Sequence, residues 1–230
     1  MGSVAFELEG AGPLRGTGEG LSHEEPFGHA GERLHQWMFA TRFWGQMVGE
    51  PSGTGGVDDV FAKQHGPGIG AEIMGAGKFG PPGWHENPEW KGWWGPNSPF
   101  HTPTFILTRH LRPSIEMEGG TTFHLINDSP AEALETAREA ADGQDVRIGG
   151  GPTMVRDFLA AGLIDLAHIV VVHRLAERGL ASDAHSYGRM NRLVESGSRG
   201  GAADLDLELI ESRTFDRSIQ ELIYRPTLHV

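Results

Sequence analysis

The chain contains no cysteine. Disulfides, thiolate catalysis, zinc ribbons and iron–sulfur clusters are therefore excluded, and a reducing, cytoplasmic setting fits. Long apolar runs are also missing. Nothing approaches the ~20 residues of a membrane helix, and the opening MGSVAFELEG lacks the basic-then-apolar order of a secretion signal. Gly2 is followed by Phe6 where a myristoylation signal wants Ser or Thr. No membrane partner is expected. Positive charge is scarce: 19 Lys and Arg face 31 Asp and Glu, a formal net charge of −12. A field of that sign repels phosphate backbones. The basic residues do not cluster, and even Arg189 to Arg199 is diluted by Glu195 and small residues, so nucleic acid is not an expected partner. The HExxH and GxSxG patterns are absent, and the twelve histidines are scattered over different elements. Neither a metal site nor Ser-His-Asp hydrolysis is expected.

What is present is glycine, proline and tryptophan. Glycine (34) and proline (14) make up about a fifth of the 230 residues, above the usual share but below the low-complexity range. With 38% apolar residues and six tryptophans the chain can bury a core. Its length allows one large domain or two small ones. No internal repeat and no linker appears, so a single domain over residues 1–230 is the reading.

Periodicity gives the order of elements. A strand at about Val4–Leu8 precedes a Gly-rich loop over 10–31. Leu34, Trp37, Met38, Thr41, Trp44 and Val48 recur at helical spacing, which predicts one amphipathic helix from Glu32 to Val48. A short helix around Asp58–Gln64 follows, then GIGAEIMG as a buried strand ending on glycine. Residues 76–102 hold Trp84, Trp90, Trp93 and Trp94 among prolines, and an irregular segment of that length is usually functional. TPTFILTR and TTFHLIN read as strands. Ser129, Pro130 and Glu132 supply a complete helix start, and Gly143 a stop. DVRIGGG is strand into turn, and PTMVRDFLAAG a helix with Met154, Val155, Phe158 and Leu159 on one face. DLAHIVVVH is a strand, residues 176–203 a long loop, and Leu205–Ser212 with Ser218–Arg225 an antiparallel pair. Strands alternating with helices and then a β pair predict an α/β mixed sheet with helices on both faces.

Two glycine strings could carry chemistry. In Arg147 to Met154, Gly149, Gly150 and Gly151 follow a strand and let a ligand approach the main chain. The helix after them offers unpaired N–H groups and a positive dipole end, with Pro152 at its start and Thr153 adding a hydroxyl. Phosphate binding is the reading preferred over an ordinary tight turn. The second string, Gly75 to Gly80, matches GxGxxG formally, but Pro81-Pro82 stand where a dinucleotide-binding helix would open. It reads equally as a plain turn or as a strand-end loop beside a ligand with Lys78 as phosphate partner.

The run VRIGGGPTMVRDFLAAGLIDLAHIVVV resembles the signature of the dihydrofolate-reductase-like family, which includes the C-terminal reductase domain of bacterial riboflavin biosynthesis. GERLHQWMF, IGAEIMGAGKFGP, EWKGWWG, FILTRH and MEGGTTFHLI resemble that family's stand-alone branch. The resemblance covers Gly31 to Val172. It implies a mixed sheet flanked by helices, NADPH across the strand ends, hydride transfer to a pyrimidine- or pterin-like ring, and often a homodimer. It puts Gly149 to Met154 on the pyrophosphate loop, Thr108 and Arg109 at the adenosine 2′-phosphate, and Gly75, Gly77, Lys78 and Phe79 beside the cofactor. Glu9 stands in for the family's Asp as proton donor or ring anchor, and Trp37 and Phe39 line a flat substrate. The chain departs from the pattern at Ala76, where the family has Arg, at Leu166-Ala167 and from His173 to Glu177. It departs too at Ala11-Gly12, where an apolar pair is expected. Those departures leave open a second reading, a binding or interaction module that kept only the fold. The segment from Gly80 to His101 is expected to close over the reactive end as a lid, with Trp84 and Trp93 among its walls; the alternative has these tryptophans plug a gap or bury a dimer contact.

Overall fold

Apolar strands build the sheet, the central ones buried on both faces. In a computed structural model, which describes residues 4–10, 22, 32–50, 52–64, 68–150, 152–171, 204–214 and 220–229, six of them run parallel. These are β1 (Val4–Gly10), β2 (Ile69–Gly75), β3 (Pro103–Leu107), β5 (Thr122–Ile126), β6 (Asp145–Gly149) and β7 (Leu166–Val171). The two-residue β4 (Ile115–Glu116) pairs antiparallel with β5. At the other side β9 (Gln220–His229) pairs antiparallel with β7 and with β8 (Asp204–Thr214). The order is β4-β5-β3-β2-β6-β1-β7-β9-β8. The Gly-rich stretch 11–31 apart from Ser22, Gly151, His173 to Glu177 and the expected loop 176–203 lie outside the described residues.

The chain steps from β1 to β2, β3 and β5 in one direction, then returns through β6 to β7 in the other. Right-handed connections place the helices of these two runs on opposite faces. On one face α5 (Pro130–Ala140) and α6 (Pro152–Ala160) press Leu134, Val155 and Phe158 onto Ile73, Ile148 and Phe105. α5 starts as its sequence demands: the Ser129 hydroxyl accepts from the Glu132 amide while the Glu132 carboxylate accepts from the Ser129 amide. The apolar face of α6, Met154, Val155, Phe158 and Leu159, is buried throughout.

The opposite face is covered differently. Met74, Ile106, Phe123 and Leu125 point there and meet α4 (Ala76–Phe79) and the tryptophan-rich segment. Phe79 packs edge-on against Trp84 and Phe123, with ring centroids 5.0 and 5.2 Å apart. The Trp90 indole donates to the Phe79 carbonyl at 3.1 Å. Trp84 is 6% exposed and Trp90 8%. For Trp84 and Trp90 the structure follows the alternative reading: these two rings are core of this face. The physical reason is that the β2–β3 connection carries no helix longer than four residues, only that turn and a 3-10 turn at Trp84–Glu86, so indoles supply the area a longer helix would bury.

A correction concerns the long helix expected from Glu32 to Val48. The structure breaks it into α1 (Glu32–Phe39) and α2 (Arg42–Met47). Thr41 adopts extended backbone and caps α2, its hydroxyl accepting from the Trp44 amide, and it bridges to Thr54. A threonine that competes for backbone hydrogen bonds starts helices better than it continues them. Val48 consequently ends up 49% exposed rather than on a buried stripe. α3 (Val57–Gln64) ties to α2 through Asp59, which is buried and accepts from the Phe43 amide and the Lys63 ammonium, both at 2.7 Å.

Two measurements check this packing. Phe123→Ala should cost about 3–5 kcal/mol in denaturant unfolding because it empties a fully buried ring site, whereas Trp93→Phe, at a half-buried position, should cost far less. Lys63 holds the Asp59 carboxyl below the usual carboxylate range. A depressed carboxylate stabilises the fold above its unfolded pKa of about 4, and that contribution is lost as pH falls through the lower folded value. Asp59→Asn should therefore flatten the acid limb of a stability–pH curve below about pH 4.

Candidate functional site

In an open sheet of this kind ligands enter where adjacent strands send their connections to opposite faces. Here those strands are β2 and β6, with Met74 opposite Gly149. β2 passes into α4 on the tryptophan side, and β6 passes into α6 on the helical side. Both strands end on glycine, and both ends lie at the carboxyl edge of the parallel sheet.

The space each glycine leaves is already assigned. A Cβ on Gly149 would collide with the Lys78 ammonium, which lies over that strand end and 5.9 Å above the centre of the Phe100 ring. A Cβ on Gly150 would stand 3.2 Å from the Met154 sulfur and 3.6 Å from the Gly75 amide nitrogen. The methionine thus fills the helical side of the crevice and the lysine the other. No carboxylate pairs with Lys78 among the described residues, so an ammonium without a counter-charge among them stands at the Gly149 strand end.

Below this edge β2 and β6 are joined by charge. Arg147, two residues before Gly149, donates to the Glu72 carboxylate, which is 1% exposed. The second carboxylate oxygen of Glu72 has no hydrogen-bond partner among the described residues. This pair, 75 residues apart in the chain, was not found by sequence reasoning. An acidic residue inside the otherwise apolar run IGAEIMG was the available signal.

The sequence-predicted residues sort themselves around the crevice. Gly75, Gly77, Lys78, Gly149, Gly150, Pro152, Thr153 and Met154 come together there, with Gly77 and Thr153 exposed. Gly151 is outside the described residues. Phe79 is fully buried and faces the core rather than the crevice. The expected strand-end loop at Gly75 is a single helical turn, Ala76–Phe79. Thr108 and Arg109 follow the next strand over. The buried Thr108 extends the β3–β5 pairing by donating to the Ile126 carbonyl at 2.9 Å, and Arg109 is exposed, with no hydrogen bond or ion pair among the described residues. Glu9 lies near the end of β1, opposite Val170 and two residues past the Glu7–Gly149 pairing; its side chain is outside the described residues.

The four aromatic residues expected to line a substrate do not form one wall. Trp37 is 2% exposed, while Phe39, two positions on, is half-buried and packs against His35 and Trp44. Positions i and i+2 of a helix face apart. Trp84 belongs to the core, and Trp93 is half-buried, edge-on to Trp90 at 4.9 Å. Among the described residues no group of three His, Asp or Glu side chains is placed to hold a metal, and no helix is long and apolar enough to cross a membrane.

This arrangement is the dihydrofolate-reductase-like fold: a mixed sheet flanked by helices, with an antiparallel pair at its carboxyl-terminal side. Several solved structures are similar to this chain. A protein from Shewanella sp. PV-4 described as a riboflavin biosynthesis protein superposes with a TM-score of 0.53 at 15% identity, over 99% of both chains. The Thermotoga maritima diaminohydroxyphosphoribosylaminopyrimidine deaminase/5-amino-6-(5-phosphoribosylamino)uracil reductase gives 0.49 at 12% identity; the match covers 98% of this chain and 57% of that one. Dihydrofolate reductase from Enterococcus faecalis, complexed with NADP(H), gives 0.42 at 12% identity over 98% and 96%. No family model matches the sequence, and no curated protein matches it.

Gly149→Ala tests the crevice directly. The added methyl meets only the far end of a flexible lysine, so the melting midpoint should move little while the ammonium is displaced. Ring-current shifts of Lys78 from Phe100, followed by NMR, should change accordingly.

Proposed function

We propose that this chain is an NADPH-dependent reductase that delivers hydride to a flat nitrogen-containing ring, of the pyrimidine or pterin class. The observation that carries the reading is the unpaired Lys78 ammonium over the Gly149 strand end, at the crevice between β2 and β6. The residues fit a nucleotide's diphosphate. Lys78 supplies the charge that Ala76 cannot, the main chain at Gly149 and Gly150 is open to close approach, and the amino end of α6 with Thr153 supplies N–H and hydroxyl donors. Arg109, one strand away, is free for bidentate contact with a 2′-phosphate.

When bound, the dinucleotide supplies the hydride; the protein positions the ring and handles a proton. Glu9 at the end of β1 is the group assigned to that proton or to anchoring the ring. Phe39 and Trp93 are the half-buried rings available to a flat substrate. The chain acts as one domain, and the β8–β9 side of the sheet is where a second copy would add; sedimentation at micromolar concentration reads that directly.

Titration of the full chain with NADPH and NADH tests the reading. NADPH should bind, and Arg109→Ala should weaken NADPH while sparing NADH. Lys78→Met should weaken both about 10–100-fold, the worth of one charge-assisted hydrogen bond. Binding of neither nucleotide would reject the enzyme and leave a ligand-binding or interaction module on the same fold.

A further inference from the structure

We propose that Arg112, set in the tryptophan layer, is the positioning residue for the crevice lysine, Lys78; on the reading above, it thereby sets how tightly the nucleotide is held. Lys78 needs holding from outside its own helix. It lies on α4, a single turn with no side chain capping its start. One turn makes too few backbone bonds to persist by itself, and its last carbonyls have no partner within the helix. The Phe79 carbonyl, next to Lys78, takes its hydrogen bond from the Trp90 indole at 3.1 Å. The rings also press on the following residue: a Cβ on Gly80 would stand 2.6 Å from the Trp90 indole nitrogen and 2.7 Å from the Trp84 Cβ. Trp90 and Trp84 therefore place the end of α4, and with it the root of the Lys78 side chain.

Those two rings belong to a segment whose regular structure is the 3-10 turn Trp84–Glu86 alone, and Arg112 holds that segment together. Its guanidinium donates to the carbonyls of Asn87 and Pro88, at 3.3 and 3.4 Å, and to that of Trp90. The centre of the guanidinium lies 5.2 Å from the middle of the Trp84 ring and 5.9 Å from that of Phe79. Three carbonyls on one planar fork fix residues 87–90 as a unit. An ammonium, with its donors on a single atom, cannot span them. The turn that delivers Arg112 is itself anchored. The Thr108 hydroxyl accepts from the His110 amide at 3.1 Å, and the His110 ring stacks on His85 with centroids 3.5 Å apart. Arg112 thus reaches Lys78 in two steps, by donating to the Trp90 carbonyl and, through that residue's indole, by fixing the Phe79 carbonyl.

The relay needs neither a ligand nor a change of protonation. It gives the lysine its aim. The Lys78 ammonium hangs over the Gly149 strand end, 5.9 Å from the centre of the Phe100 ring. A lysine stem is flexible along four carbons, so its direction is lost once its root is loose.

Two experiments separate this aim from bulk stability. In the ligand-free full chain, NMR of the Lys78 ε-methylene reads its place over Phe100. Arg112→Lys keeps the charge and loses the fork, whereas Trp90→Phe keeps a ring and loses the indole donor. Each should move the Lys78 signal toward that of an exposed lysine while circular dichroism shows the fold retained. An unmoved signal in both variants would overturn the proposal, and if Arg112→Lys does not fold, Trp90→Phe decides alone. The second experiment is NADPH titration in a double-mutant cycle. Arg112→Lys should weaken binding about threefold to tenfold when Lys78 is present, and not at all in a Lys78→Met background. Equal loss in both backgrounds would overturn the proposal, because a merely structural arginine acts whether or not the lysine is there. If the parent chain binds no NADPH, the reductase reading fails and the NMR result decides the role of Arg112.

Discussion

Strand β6 enters between β2 and β1 after the chain has already laid down both, and it hydrogen-bonds in parallel to each. That late insertion sets β6 beside a strand whose connection leaves by the opposite face, and a crevice opens between the two departures. The Glu72–Arg147 pair holds the same two strands together a few ångströms below the opening. A buried ion pair gives little net stability, because desolvation consumes most of the Coulomb gain, yet losing one partner strands a charge. Its effect here is registry: it commits Glu72 to face Arg147, and so Met74 to face Gly149. Lys78 and Met154 can then close on the glycine ends from the two sides.

Much of the scaffold could be read from local chemistry. Ser129, Pro130 and Glu132 specify a helix start by hydrogen bonds that need no distant partner, and the structure contains each of them. The glycines after β6 and the apolar face of α6 were visible for the same reason. The alternating ends of the chain did pair antiparallel, over longer stretches than the pattern suggested, Asp204–Thr214 and Gln220–His229. The mixed sheet and its helical layers followed from these elements and from the resemblance carried by residues 31–172.

What the sequence did not disclose depends on contacts between distant segments. Thr41 sits at helical spacing with Trp37 and Trp44, and only its bridge to Thr54 shows that it ends one helix and starts another. Glu72 and Arg147 each look like an ordinary charged residue until the sheet order sets them side by side. His85 and His110 were two of twelve scattered histidines, and nothing local predicts that turns after two neighbouring strands would stack them. The tryptophans of residues 84–94 misled for a related reason. An irregular segment has no periodicity to show which rings turn inward, so burial of Trp84 and Trp90 against Phe123 and Met74 had no signature.

The division of labour between the two faces has an optical consequence. The core beneath α5 and α6 contains no tryptophan; its aromatic members are Phe105, Phe158 and Tyr224. All six indoles of the chain lie elsewhere, four of them in or against the layer that closes the opposite face and two on α1 and α2. Intrinsic emission excited at the red edge is therefore a one-sided probe of this protein. It registers loosening of the irregular layer and of the first helices while the α5–α6 side can open unseen, and tyrosine or backbone signals are needed to follow that half of the molecule.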